Sequence, residues 1–108
     1  MTNAIPNGAN GRYRIVNLKS AKDALKALMA RARAQGIKEV LVKAIKVNWA
    51  RIGDAPMDFG EPCYDLAHLQ LQVRLAGWRS LGVRFAVDQR NRIVYVMDVY
   101  PMAGLGLK

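Results

Sequence analysis

The sequence has one cysteine, Cys63, and one histidine, His68, among its 108 residues. A lone cysteine closes no disulfide within the chain, which fits a reducing cytoplasm. One histidine and one cysteine make neither a tetrahedral metal site nor a histidine-based dyad, so no metal or cofactor is expected. Cys63, beside Pro62, is expected to be a packed loop residue and not a nucleophile. Aromatic residues make up only 7% of the chain. Trp49 and Trp78 suit packing better than base stacking, although Trp78, next to Arg79 in "AGWRS", could do either. No apolar run approaches the roughly 18 residues of a membrane-spanning helix. The opening "MTNAIPNGANG" lacks the charged and apolar regions of a signal peptide.

Acid is scarce as well. Seventeen Lys and Arg against eight Asp and Glu give a net charge of +9 and an isoelectric point near 10.2. Such a balance favours polyanionic partners: nucleic acid, the ribosome, an acidic protein or an anionic surface. The charge is uneven along the chain. Residues 1–35 hold seven basic and one acidic residue (+6), residues 36–65 four and five (−1), and residues 66–108 six and two (+4). A single basic surface would require the fold to bring the two ends together.

What is present is a core. Apolar residues make up 52%, and mean hydropathy is −0.02. A chain of this length is expected to form one domain. It is placed at residues 12–101, between a flexible Gly/Asn-rich tail at 1–11 and a frayed tail at 102–108. "RYRIVNL" (12–18) reads as a short strand. Ser20, with Asp23 three residues later, suggests a capped helix start, and Gly36 suggests its end. Between them Ala21, Ala24, Leu25, Leu28, Met29 and Ala32 recur at helical spacing. Residues 37–53 are rich in valine and isoleucine, but their apolar positions follow the helical period, so a second helix is expected. "DAPMDFGEPCYDLAH" (54–68) reads as a loop, and its Asp58-Phe59-Gly60 is an accidental match to a kinase motif.

Three strands are expected next. In "LQLQVRL" (69–75), Leu69, Leu71 and Val73 alternate with Gln70, Gln72 and Arg74. "LGVRFAV" (81–87) sets Leu81, Val83, Phe85 and Val87 against Arg84 and Ala86. "RIVYVMDVY" (92–100) is apolar on both faces, with Ile93, Tyr95, Met97 and Val99 on one and Val94, Val96 and Tyr100 on the other. That pattern marks an internal strand. "DQRNR" (88–92) is a polar hairpin turn. The expected order is β-α-α-β-β-β, an α+β fold with two helices packed on one face of a small, mostly antiparallel sheet. The open face should then carry Gln70, Gln72, Arg74 and Arg84.

This order resembles the RelE/ParE superfamily of bacterial toxins from toxin–antitoxin pairs. The resemblance spans about residues 12–100. It is carried by "YRIVNLKSAKDALKAL", by "IGDAP" at the end of the second helix, by "FGEPCYDL", and above all by "LQLQVRLAGWRSLGVRFAVDQRNRIVYVMDVYP". The resemblance implies a basic protein neutralised by an acidic antitoxin, acting on the ribosome and its mRNA or on DNA gyrase. RelE-like ribonucleases place lysines at the outward positions matched by Gln70 and Gln72. Glutamine carries no charge and serves neither as acid nor as base. Nor does "PMAGLGLK" supply the basic–aromatic run that the family carries after the last strand.

The leading expectation is therefore a cytoplasmic toxin-type protein that binds an acidic target without efficient ribonuclease activity. Gln70, Gln72, Arg74, Arg79 and Arg84 would form the binding face, with Lys22, Lys26 and Arg33 auxiliary. A non-toxic basic binding module on the same fold and an mRNA interferase with atypical residues are the alternatives. Oligomeric state stays open.

Overall fold

The computed structural model describes residues 12–106. The expected flexible tail at 1–11 lies outside the described residues. Strand β1 (Arg14–Asn17) leads into helices α1 (Lys19–Ala34) and α2 (Lys38–Asp54), followed by β2 (Glu61–Leu66), β3 (Leu71–Trp78), β4 (Leu81–Asp88) and β5 (Ile93–Pro101). The strands form one sheet in the order β1-β5-β4-β3-β2. Only the β1–β5 pair is parallel. Both helices cover one face, as expected for the α+β class. Ala21, Leu28 and Ala32 of α1 and Leu41, Ala44 and Ile52 of α2 meet Leu81, Val83, Phe85, Val87, Val94 and Val96 in one core.

Helix α1 starts differently from the expected capping box. Leu18 is the N-cap and offers no side-chain cap. Its N–H still donates to Val96 O at 3.0 Å, so the helix begins where strand pairing stops. The Ser20 hydroxyl instead donates to the Met97 carbonyl, which a bulge frees from the ladder: Arg84 pairs with Asp98 and Phe85 with Val96. Asp23 accepts from Lys19 at 2.8 Å. The C-terminus follows expectation. Gly36 sits at φ +74°, and the N–H groups of Gly36 and Ile37 reach Arg33 O and Ala32 O, a Schellman closure.

The expected loop at 54–68 contains a strand. Edge strand β2 pairs antiparallel with β3, with a register break between Pro62 and Tyr64. An edge strand needs one ladder only, so Pro62 is tolerated there. Its side chains are mostly exposed, which removes the apolar alternation that would reveal it. Cys63 falls at the break, exposed and free.

The facing of β3 is the reverse of the expected one. Directly paired residues project to the same side of a sheet. Val87, Phe85, Val83 and Leu81 pair with Gln72, Arg74, Ala76 and Trp78. Gln72 and Arg74 therefore point to the helix side, and Leu71, Val73 and Leu75 to the open side. Gln70 is not in the strand at all: it sits in the left-handed region (φ +56°) after a 3₁₀ turn at Ala67–Leu69. Alternation defines two sets but does not say which one faces the core. Ala76 and Trp78 decide it, because they share the parity of Arg74 and pack against the core. The bulge at Met97 likewise moves Val99 to the side of Val94 and Val96.

The described residues after β5, 102–106, are held and not frayed. Met102 N–H donates to Ser80 O at 2.8 Å, and Leu105 is buried in the core. Both residues of the β3–β4 turn have positive φ, Arg79 at 55° and Ser80 at 61°. Two-residue hairpin turns of this kind favour glycine second. Ser80→Gly is expected to stabilise the fold by about 1 kcal/mol, read from the denaturation midpoint.

The β4–β5 turn is held by Asp88. Asn91 donates to it from both its backbone (3.1 Å) and its side chain (2.8 Å). The Asn91 side chain, then its backbone N–H, hold the Asp88 carboxyl below its ordinary pKa. A depressed carboxylate stabilises the fold above its unfolded pKa, about 3.9, and that stabilisation is lost as pH falls through the folded value. Asp88→Ala should thus destabilise at neutral pH, and the gap to the parent should narrow at about pH 2. A gap that stays constant with pH would remove the charge from the account.

Candidate functional site

The β2–β3 connection and the β4–β5 turn meet at one end of the sheet. Gln70, Gln72, Asp65, Gln89 and Arg90, with Met57 and Val87 among the apolar residues, line a cleft of about 370 Å³ there. Gln70 and Gln72 are thus brought together, one by the left-handed turn and one by the strand. Asp65 pairs with Gln72 across the β2–β3 ladder. Asp65, Gln89 and Arg90 were not anticipated; for Arg90 the charged hairpin "DQRNR" was the available signal.

The three arginines expected beside the glutamines do not join them. Arg74 is 6% exposed. Its Nε donates to Phe59 O (3.3 Å), Nη2 to Gly60 O (3.0 Å) and Nη1 to Gln72 Oε1 (2.7 Å). It ties β3 to the chain entering β2. Arg84 lies on the other face, opposite Leu75. Its guanidinium stands 3.9 Å from Asp98, and its buried Nε has no acceptor. Arg79 caps the far turn, its guanidinium 4.6 Å from the Trp78 ring centroid. Arg84 keeps the open side expected of it, and the expectation that Arg74 and the glutamines share that face is corrected. Lys22, Lys26 and Arg33 are exposed on α1.

The open face is largely apolar instead. Leu18, Leu66, Leu69, Leu71, Ala86, Tyr95 and Met97, with Asp88, line a groove of about 410 Å³. Leu69 is 54% exposed and Leu18 38%. The apolar positions of 69–73 and the two-sided apolar pattern of 92–100 carried this signal, but the first were assigned to the helix side. Charge lies on the other layer. The helices hold nine basic and three acidic residues (+6), and the strands three and four (−1).

The polar cleft offers three amides, one guanidinium and one carboxylate. In-line attack at a phosphate needs a base, an acid and cations on the developing charge. Amides supply none of these, and Asp65 repels a phosphate that Arg90 would attract. The arrangement suits hydrogen bonding. Among the described residues no group of three or more His, Cys, Asp or Glu could hold a metal ion, and no helix is long and apolar enough to cross a membrane.

Comparison with solved structures places this architecture. A chain of the toxin–antitoxin complex RelBE2 from Mycobacterium tuberculosis superposes with a TM-score of 0.65, covering 87% of this chain and 95% of that one. The chain has the RelE-like fold. Sequence identity in that match is 16%, so the likeness is one of fold. No family model and no curated protein matches the sequence. Within the RelE-like fold, the expected order gains strand β2, and the open face is the side of the sheet away from α1 and α2.

Proposed function

We propose that the protein is the toxin-type member of a toxin–antitoxin pair, restrained by a partner protein seated on the apolar groove of the open sheet face. The groove carries this reading. Contiguous exposed apolar surface marks a protein contact, and Leu18, Leu66, Leu69, Leu71, Tyr95 and Met97 call for apolar side chains from the occupant. The RelE-like fold supports an antitoxin segment as that occupant, because the similar structure is a toxin–antitoxin complex. The target is acidic, the ribosome with its mRNA or DNA gyrase, and is engaged in the cytoplasm by binding. The polar cleft supports binding over cleavage, since its amides, Gln70, Gln72 and Gln89, serve neither as acid nor as base.

Induced expression is expected to arrest growth, and coexpression of a small acidic protein encoded beside it should lift the arrest. Leu71→Arg should keep the arrest and lose the rescue. Absence of arrest would sink the toxin reading. Ribosome-dependent mRNA cuts in induced cells would sink the binding-only part of it.

A further inference from the structure

The helical layer carries the charge in an ordered way. Lys22, Lys26 and Arg33 fall within a narrow arc of α1, roughly 120° from the buried Ala21, Leu28 and Ala32. They span about 16 Å along the axis. On α2, Lys43 and Lys46 lie opposite the buried Leu41, Ala44 and Ile52. Of the three acids on these helices, Asp23 is held by Lys19 and Asp54 by Arg12, leaving Glu39 beside Lys43 and Lys46.

We propose that this helical surface binds the phosphate backbone of double-stranded nucleic acid without reading its sequence. Charge complementarity supplies the attraction, and lysines act on phosphate as point charges. A single strand is disfavoured, because sequence-tolerant binding of unpaired bases uses exposed aromatic platforms. Trp49 is the one aromatic on these helices, and its indole N–H donates to Asn17 Oδ1 at 3.2 Å. A bilayer is disfavoured as well. An interfacial helix needs several large apolar side chains beside its cations, whereas Val40 is the one large hydrophobic exposed on the described helices, among Ala27, Ala30, Ala34 and Ala50. The surface lies across the sheet from the apolar groove, so it is available with a partner bound, and the proposal stands whether or not the toxin reading does.

The test titrates the full chain against a labelled duplex of about 20 base pairs at several salt concentrations. Five lysine and arginine contacts predict a log–log slope near −4.5, roughly a 500-fold loss between 50 and 200 mM salt. Changing Lys22, Lys26, Lys43 and Lys46 together to Gln should weaken binding at least tenfold and reduce the slope by about 3. The same four changed to Arg should stay within about twofold of the parent. A variant of equal net charge, with Arg14, Arg79, Arg84 and Arg92 changed to Gln, should lose less than about threefold. Equal losses in the two Gln variants would overturn the proposal in favour of net charge alone. Tighter binding to single strands, or to vesicles of anionic lipid, than to the duplex would overturn the assigned class.

Discussion

Arg74→Met is expected to destabilise the fold by about 2–3 kcal/mol while leaving polyanion affinity within about twofold of the parent. Methionine retains most of the apolar stem, so the change isolates the guanidinium. That group makes three hydrogen bonds, to Phe59 O, Gly60 O and Gln72 Oε1. Its loss leaves acceptors without donors near the core, and bonds from a charged donor are worth more than neutral ones. Arg74→Lys should recover only part of the stability, because an ammonium cannot reproduce a planar fork aimed at acceptors on strand β3 and on the loop before β2. Denaturant midpoints measure the first effect, and titration with duplex the second. A variant with parental stability and lost affinity would return Arg74 to the binding role its position in "LQLQVR" suggested.

The amphipathic elements of this fold were legible in the sequence because their apolar positions repeat. Helix α1 shows Ala21, Ala24, Leu25, Leu28, Met29 and Ala32, and β4 shows Leu81, Val83, Phe85 and Val87. What was illegible lacks a repeat or depends on its sign. Strand β2 exposes nearly every side chain and carries Pro62, so nothing distinguishes it from a loop until β3 is there to pair with it. The facing of β3 turned on Ala76 and Trp78, which extend the Arg74 parity beneath the helices. Leu71 and Val73 lie on the side of the sheet away from the helices, with Tyr95 and Met97, although Val73 is fully buried there. The candidate site moved with that reversal. A basic sheet face became an apolar groove, the cations regrouped on the helices, and Gln70 and Gln72 joined Arg90 at the sheet's end.

Gly60→Ala is expected to cost more than a methyl added at any other described glycine, about 3–5 kcal/mol. Gly60 has a φ of +77°, and a Cβ there would stand 2.2 Å from Leu75 O and 2.5 Å from the Ala76 Cβ. The carbonyl oxygen belongs to β3 and cannot swing aside as a side chain would. The same glycine presents the carbonyl that Arg74 Nη2 reaches at 3.0 Å. Gly36 separates the two causes. Its φ is +74°, but nothing lies within 4 Å of an added Cβ, so Gly36→Ala should show the torsional cost alone, about 1–2 kcal/mol. The excess at Gly60 measures the close approach that seats β2 on β3. Because β2 brings Leu66 to the groove and Asp65 to the polar cleft, hydrogen exchange in Gly60→Ala should rise first along Glu61–Leu66, before α1 and α2 open. If the two glycine variants lose equal stability, backbone torsion alone sets the cost, and the arginine–glycine clasp is not what holds the edge strand in place.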